Sequence, residues 1–90
     1  MLTTKDRNGA IVGVGTRVRV LKINESVFNR LPDDEAARVR SMEGESFEVY
    51  EVDEWGGAWV EKWWYHTDNE SQSHSLGLAP VQIEIIGDGK

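Results

Sequence analysis

Alternation of apolar and polar residues is the clearest pattern along the chain, and it predicts β-strands. Val18 and Val20 alternate with Arg17 and Arg19, which is typical of a strand with one face on a core and the other in water. By this pattern and by β-branched and aromatic content, strands are predicted over 16–23, 45–53, 59–65, 74–78 and 82–86. A turn containing two glycines, at 55–58, separates the second strand from the third. The wholly polar stretch 66–73 is predicted to be a loop.

A helical pattern interrupts the strands over about residues 32–42. A proline and three acids open this segment, where the helix dipole favours negative charge, and Gly44 is a natural stop. We expect Leu31, Val39 and Met42 to pack across one end of the sheet. The sequence therefore predicts a mainly β fold with one short helix in its long first connection.

The length of 90 residues indicates a single domain, residues 1–90. Residues 1–13 carry no long periodic pattern and are predicted to be a loose N-terminal arm. A hydrophobic fraction of 39% supports only a small core, so the four tryptophans must either fill that core or lie on the surface.

Composition excludes several kinds of chemistry. The chain has no cysteine, which removes disulfides, thiolate catalysis and cysteine-based metal sites. The first residues lack the apolar core of a signal peptide, and charges interrupt each run long enough to cross a bilayer. We therefore expect a soluble, cytoplasmic protein without a membrane segment.

The net charge of −6 argues against nucleic acid as a partner, because such binding is driven by neutralising phosphates. The charge is uneven: residues 1–40 hold 8 basic and 5 acidic side chains, whereas residues 41–90 hold 2 basic and 11 acidic ones. This asymmetry could orient a charged partner by electrostatic steering, but a β surface that is simply solvated and acidic is the preferred explanation. The basic residues that an RNA would contact are Arg17, Arg19, Lys22, Arg38 and Arg40.

Three segments carry a resemblance to a known fold: VGTRVRV at 14–20, SMEGE at 41–45 and HSLGLAPVQIEII at 74–86. They resemble the SH3-like barrels, and more narrowly the variable chain of ferredoxin–thioredoxin reductase and the β subunit of nitrile hydratase. The resemblance implies a small five-stranded SH3-like barrel that docks on a catalytic partner holding a metal or redox centre. No functional residue of those families matches a position here, and the ALYDY start of proline-binding SH3 domains is missing.

The most informative segment is WVEKWWY at 59–65. Strand alternation places Trp59, Glu61, Trp63 and Tyr65 on one face and Ala58, Val60, Lys62 and Trp64 on the other. Small Ala58 and branched Val60 suit a tight interior, so the second set is predicted to point inward. The predicted partner-binding residues are Tyr50, Trp55, Trp59, Trp63 and Tyr65. Two alternatives remain open: a bulge near Val52 that exchanges the faces, and a helix that covers the rings.

Candidate catalytic and metal sites are weak. His66, Asp68, Glu70 and His74 match no metal-ligand spacing, and Ser71, Ser73 and Ser75 near His74 lack a nucleophile elbow. The glycines at 9, 13 and 15 lack the ending of a phosphate-binding loop. We expect no enzyme activity, no cofactor and no metal.

The sequence leaves three hypotheses. The preferred one is a non-catalytic protein-interaction or accessory module that offers its aromatic strand face to a protein partner or to a second copy of itself. The second is a regulatory, subunit-like partner of a redox or metalloenzyme, which follows from the resemblance. The third is a small RNA-binding barrel.

Overall fold

The chain folds into a mainly β structure with three small antiparallel sheets, and the computed structural model describes residues 2–67 and 69–86, without the side chains of His66 and Thr67. The strands are β1 Thr4–Lys5, β2 Ile11–Val12, β3 Arg17–Val20, β4 Ser46–Glu48, β5 Glu51–Val52, β6 Ala58–Thr67, β7 Glu70–Leu78 and β8 Ile83–Ile85. Between β3 and β4 come helices α1 Glu25–Phe28 and α2 Asp33–Arg40, and a 3-10 turn, Pro80–Gln82, precedes β8. The sheets have the orders β1-β2, β4-β3-β8 and β5-β6-β7.

The first predicted strand and the predicted helix are confirmed as β3 and α2. Three acids lie in the first turn of α2, where they complement the helix dipole. Val39 and Met42 are fully buried, and Leu31 packs against the same core, as expected. The short helix α1 was not predicted. Its start is fixed by Asn24, whose side-chain oxygen accepts a hydrogen bond from the Ser26 amide at 2.9 Å.

The predicted strand 45–53 is divided between two sheets. Its first part, β4, pairs with β3, and its second part, β5, pairs with β6. The mainly β class is therefore confirmed, but the described residues do not form the expected closed five-stranded barrel. The sheet of β5, β6 and β7 has an open edge at β7, because β7 pairs with β6 alone within the described residues.

The N-terminal segment is not the loose arm that was predicted for residues 1–13. Strands β1 and β2 form a short hairpin around Asp6, which is only 4% exposed. One carboxylate oxygen of Asp6 accepts hydrogen bonds from the amides of Asn8 and Ala10, and the other accepts one from Ile85, each at 2.9 Å. The bond from Ile85 joins this segment to β8.

The polar stretch 66–73 is also not a loop over its described part. It belongs to a long hairpin in which β6 and β7 pair from Ala58↔Leu78 to Thr67↔Glu70, with a register irregularity between Tyr65 and Thr67. A ladder of backbone hydrogen bonds forms whatever side chains the strand carries, so a polar sequence extends here as a strand. Asp68 lies outside the described residues.

The core lies between the sheets and under α2. Its buried side chains are aliphatic or small, apart from Met42 and one aromatic ring, that of Phe28. They come from nearly every element: Val12, Val18, Val20, Ile23, Phe28, Val39, Met42, Val49, Val52, Ala58, Val60, Leu76, Leu78 and Ile83. The core is therefore complete without a fully buried tryptophan or tyrosine among the described residues.

Candidate protein-binding face

The two faces of β6 are arranged as the alternation predicts. Ala58 and Val60 are fully buried, whereas Trp63 and Tyr65 are exposed. Trp64 points to the inner side, where it packs against the core. The exchange of faces that a bulge near Val52 would cause is therefore not observed. Helix α2 lies on the inner side too, since its Val39 lines a cleft together with Trp64.

Two aromatic rings form the centre of the outer face. Trp63 and Tyr65 stack with their centroids 6.4 Å apart and their planes inclined by 18°. Their exposed fractions are 49% and 76%. Because the two rings are neighbours on one strand face and both are exposed, they present a continuous apolar surface to solvent.

The neighbouring strand, β7, places small residues beside the rings. In the register of the hairpin, Trp63 lies opposite Ser73, Tyr65 opposite Ser71, and Glu61 opposite Ser75. Paired residues of an antiparallel ladder share a face, so the serines line the same side as the rings. The sequence analysis did not predict these small residues beside the rings, although their alternation at positions 71, 73, 75 and 77 indicates one strand face. We call Trp63, Tyr65 and these small residues the aromatic face.

Trp59 begins the same face but is not a freely exposed ring. Its indole Nε1 donates to Asp53 Oδ2 at 2.8 Å, while Asp53 Oδ1 accepts from the amides of Trp55 and Gly57. The pKa of Asp53 is lowered, first by the hydrogen bond from Trp59 and then by that from the Gly57 amide. Trp59 also lies directly over Gly77. It therefore supports the face from one end and is only partly exposed.

Substituting Gly77→Ala is expected to displace the Trp59 ring. A Cβ at position 77 would lie 2.8 Å from two ring atoms of Trp59, and the ring is held by Asp53. We expect a loss of about 1–3 kcal/mol in the free energy of unfolding, measured by urea denaturation. The matched control is Gly13→Ala, whose Cβ meets its nearest neighbour at an ordinary 3.7 Å. Equal effects of the two substitutions would contradict the role assigned to Gly77.

Tyr50 and Trp55 lie apart from the stacked pair. The Tyr50 amide donates to the Trp59 carbonyl at 3.0 Å, and its side chain is 45% exposed. Trp55 is 84% exposed in the turn between β5 and β6. Within the described residues, Trp63 and Tyr65 make the one ring-to-ring contact. The structure thus brings together two of the five predicted residues, with Trp59 as their support.

The charge beside the aromatic face is negative. Glu61 lies between Trp59 and Trp63 on this side and accepts a hydrogen bond from the Ser75 hydroxyl at 3.4 Å. Glu51 pairs with Trp59 and is exposed. The lysine of this strand, Lys62, points to the inner side, where its Nζ lies 2.6 Å from Glu45. The charged side chains of the outer face, along the described ladder from Trp59 to Tyr65, are therefore both glutamates.

The inner side of the hairpin holds a small polar cleft against α2. It measures about 140 Å³ and includes Trp64, Arg38 and His74, whose Nδ1 lies 3.6 Å from Glu35 Oε2. His74 pairs with Lys62 on this side, so strand alternation directs its ring to the face of β7 opposite the hydroxyls of Ser73 and Ser75. Among described residues no group of three metal-ligating side chains occurs, while His66 and Asp68 lie outside the side chains described.

Four of the five basic residues considered for RNA lie on β3 or α2, and Lys22 lies between β3 and α1. Arg17 and Arg19 are exposed on β3, but Arg38 lies 3.8 Å from Asp34 and Arg40 lies 3.5 Å from Glu25, so acids accompany both arginines of α2. Two of the five basic residues are therefore close to a carboxylate.

Comparison of the chain with protein-family models, with curated proteins and with solved structures finds no match. In the part of the chain that the structure describes, no helix has the length and apolar character needed to cross a bilayer.

Proposed function

We propose that this chain is a non-catalytic protein-interaction or accessory module that binds a protein partner through its aromatic face. The observation that carries the proposal is the exposed, stacked pair of Trp63 and Tyr65. Tryptophan and tyrosine are enriched at protein interfaces, where a few such side chains dominate the binding energy. The core is filled without these rings, so their packing role inside the fold does not account for them.

The SH3-like barrel remains our proposal for the fold family. The support for it comes from β3, the first strand with more than two residues. It pairs with both β4 and the last strand β8, as the closure of a five-stranded sheet requires. Strands β4 and β5 are adjacent in sequence and belong to the two three-stranded sheets, β4-β3-β8 and β5-β6-β7. In this proposal the chain is an opened barrel whose free edge is β7.

The test is affinity capture from a lysate of the organism that carries the chain, with wild type and a Trp63→Ala/Tyr65→Ala double variant. A specific partner is expected to be captured by wild type and reduced more than about tenfold by the double variant, because interface aromatics are typical hot spots. The matched control is Val81→Ala, since Val81 is as exposed as Tyr65, at 76%, but lies far along the chain in the 3-10 turn.

Circular dichroism first establishes that all three proteins fold alike. Retention of the partner by the double variant, or equal loss with the Val81 control, would overturn the proposal. The identity of a captured partner then separates an enzyme subunit from another protein. Sedimentation of the purified chain tests whether the partner is a second copy.

A further inference from the structure

Strand β7 presents an open edge beside the aromatic face. Its nine residues form the outermost strand of their sheet, and within the described residues its ladder partner is β6 alone. Long edge strands are normally protected by lysine, proline or a covering element, because their free backbone groups accept another strand. β7 contains no lysine or proline.

The hydrogen bonds of Trp59 identify which backbone groups of β7 point outward. The Trp59 carbonyl accepts from Tyr50, so the polar backbone groups of Trp59 face β5 and not β7. In an antiparallel strand the N–H and C=O of one residue point to the same side, and successive residues alternate. Gly77, opposite Trp59, therefore directs its N–H and C=O away from β6. By the same alternation, so do Ser75, Ser73 and Ser71.

The same serines leave the rings reachable from the open edge. A strand added along β7 would lie about 4.8 Å from it, with side chains opposite the serines on the aromatic face. Serine side chains are short, so a long side chain on the added strand passes over Ser73 or Ser71 toward Trp63 and Tyr65. The open backbone and the accessible rings therefore occur at the same positions.

Charge identifies the kind of side chain that fits. Glu61 lies between the two tryptophans of the outer face, and Glu51 lies beside Trp59. A guanidinium or ammonium group is attracted both to carboxylates and to the faces of tryptophan and tyrosine rings. An arginine or lysine on the added strand would be attracted both to these glutamates and to the faces of the aromatic rings.

We propose that the edge of β7 binds an extended basic segment of a partner protein, which adds as an antiparallel strand and lays arginine or lysine side chains over Trp63 and Tyr65. This is recognition by β-strand addition, in which backbone bonds supply affinity and alternate side chains supply specificity. The inference rests on the proposed function and defines the partner's chemistry.

A second copy of the chain fits this edge less well. Pairing of β7 with itself would place serine opposite serine and supply no cation for the rings. The exposed Arg17 and Arg19 lie on β3, both of whose edges are already paired, so they are not offered on a free strand. The observations therefore favour a basic segment from a different protein.

The test uses a nine-residue peptide of alternating arginine and threonine, with blocked ends, titrated into the ¹⁵N-labelled chain at low salt. We expect saturable binding with the largest amide shifts at Ser71, Ser73 and Ser75. N-methylation of the arginine amides removes the donors that face β7 while keeping the charge. It is expected to weaken binding by at least about tenfold, since each methylated amide loses its hydrogen bond to β7.

Three controls make the result specific. N-methylation of the threonine amides, which face away from β7, should leave affinity unchanged, and a glutamate–threonine peptide should not bind. Ser73→Pro, which removes an outward N–H of an edge strand, should weaken binding where Val81→Ala does not. The methylated peptides give the answer on the wild-type chain even where the proline variant does not fold.

Each contrary result has its own meaning. Equal binding of the two methylated peptides would overturn strand addition but leave the aromatic face as a binding site. Absence of peptide binding to wild type would overturn the proposal that a basic segment binds this edge. The lysate capture with Trp63→Ala/Tyr65→Ala would still decide the proposed function. Dimerisation that Ser73→Pro abolishes would assign the edge to a second copy and overturn the inference.

Discussion

Replacing Asp6 with alanine is expected to lower the melting temperature on the order of 10 °C or more. Asp6 is buried and accepts three amide hydrogen bonds, two within the β1–β2 hairpin and one from Ile85 of β8. Alanine leaves three part-buried amides without their acceptor, so the cost includes their incomplete resolvation as well as the lost bonds. Calorimetry or thermal circular dichroism measures the change. A shift of only a few degrees would show that the hairpin is not an integral part of the fold.

The same carboxylate is expected to make stability depend on pH in the acid range. The pKa of Asp6 is lowered, chiefly by the hydrogen bond from the Ile85 amide and also by those from Ala10 and Asn8, against an opposing effect of burial. A lowered folded-state pKa means that the stabilisation is present above the unfolded pKa of about 3.9 and is lost as pH falls through the lower folded pKa. The urea midpoint of wild type should therefore fall as the pH is lowered from neutral into this acid range.

The matched variant for this pH test is Asp6→Asn, which keeps the size of the side chain but does not titrate. Its stability should be lower than that of wild type at neutral pH and should fall less on acidification. Asp53, whose pKa is also lowered, contributes to the remaining slope, so Asp53→Asn in the same background removes it. Parallel pH profiles of stability for wild type and Asp6→Asn would show that Asp6 is not the source of the pH dependence.

The N-terminal hairpin shows where sequence patterns are insufficient. Strands of two residues carry no readable alternation, and the side-chain bond that links the hairpin to β8 joins Asp6 to Ile85, 79 positions away. A single aspartate in a polar segment usually indicates a turn on the surface. Only the folded arrangement, which brings β8 beside this turn, shows that Asp6 is buried.

The distal half of the β6–β7 hairpin was missed for a different reason. Its inner face turns toward α2 with polar residues, Lys62 and His74, because the helix also presents charged groups there, including Glu35. The outer face of β7 carries serines. Both faces of β7 are therefore polar at this end, and the apolar–polar alternation by which a half-buried strand is recognised does not occur.

Prediction succeeded where one face meets an apolar core. Strand β3 alternates buried valines with exposed arginines, and α2 places Val39 and the following Met42 in the core. In β6, small Ala58 and branched Val60 identified the inner face correctly because the interior there is tightly filled. The aromatic face follows from that assignment, whereas the open edge of β7 depends on tertiary pairing that the sequence does not report.

Adjacent tryptophans on β6 are expected to differ sharply in their contribution to stability. Trp64→Ala should lower the free energy of unfolding by about 2–4 kcal/mol, somewhat less than for a fully buried ring, because Trp64 packs against the core and α2 but is only partly buried. Trp63→Ala should cost about 1 kcal/mol or less, since its side chain is 49% exposed and lies outside the core. Both are measured by urea denaturation followed by far-ultraviolet circular dichroism, which does not depend on the indole removed.

This pair of substitutions also tests the proposed function from the side of stability. The two residues share chemistry and neighbouring positions, so their difference reports which face of β6 is covered by the rest of the molecule. A ring kept for binding is one that the fold can lose, and Trp63 is predicted to be that ring. If Trp63→Ala proved as destabilising as Trp64→Ala, the outer ring would belong to the core. The exposed aromatic pair would then be a packing feature, and a partner at this face would lose its physical basis.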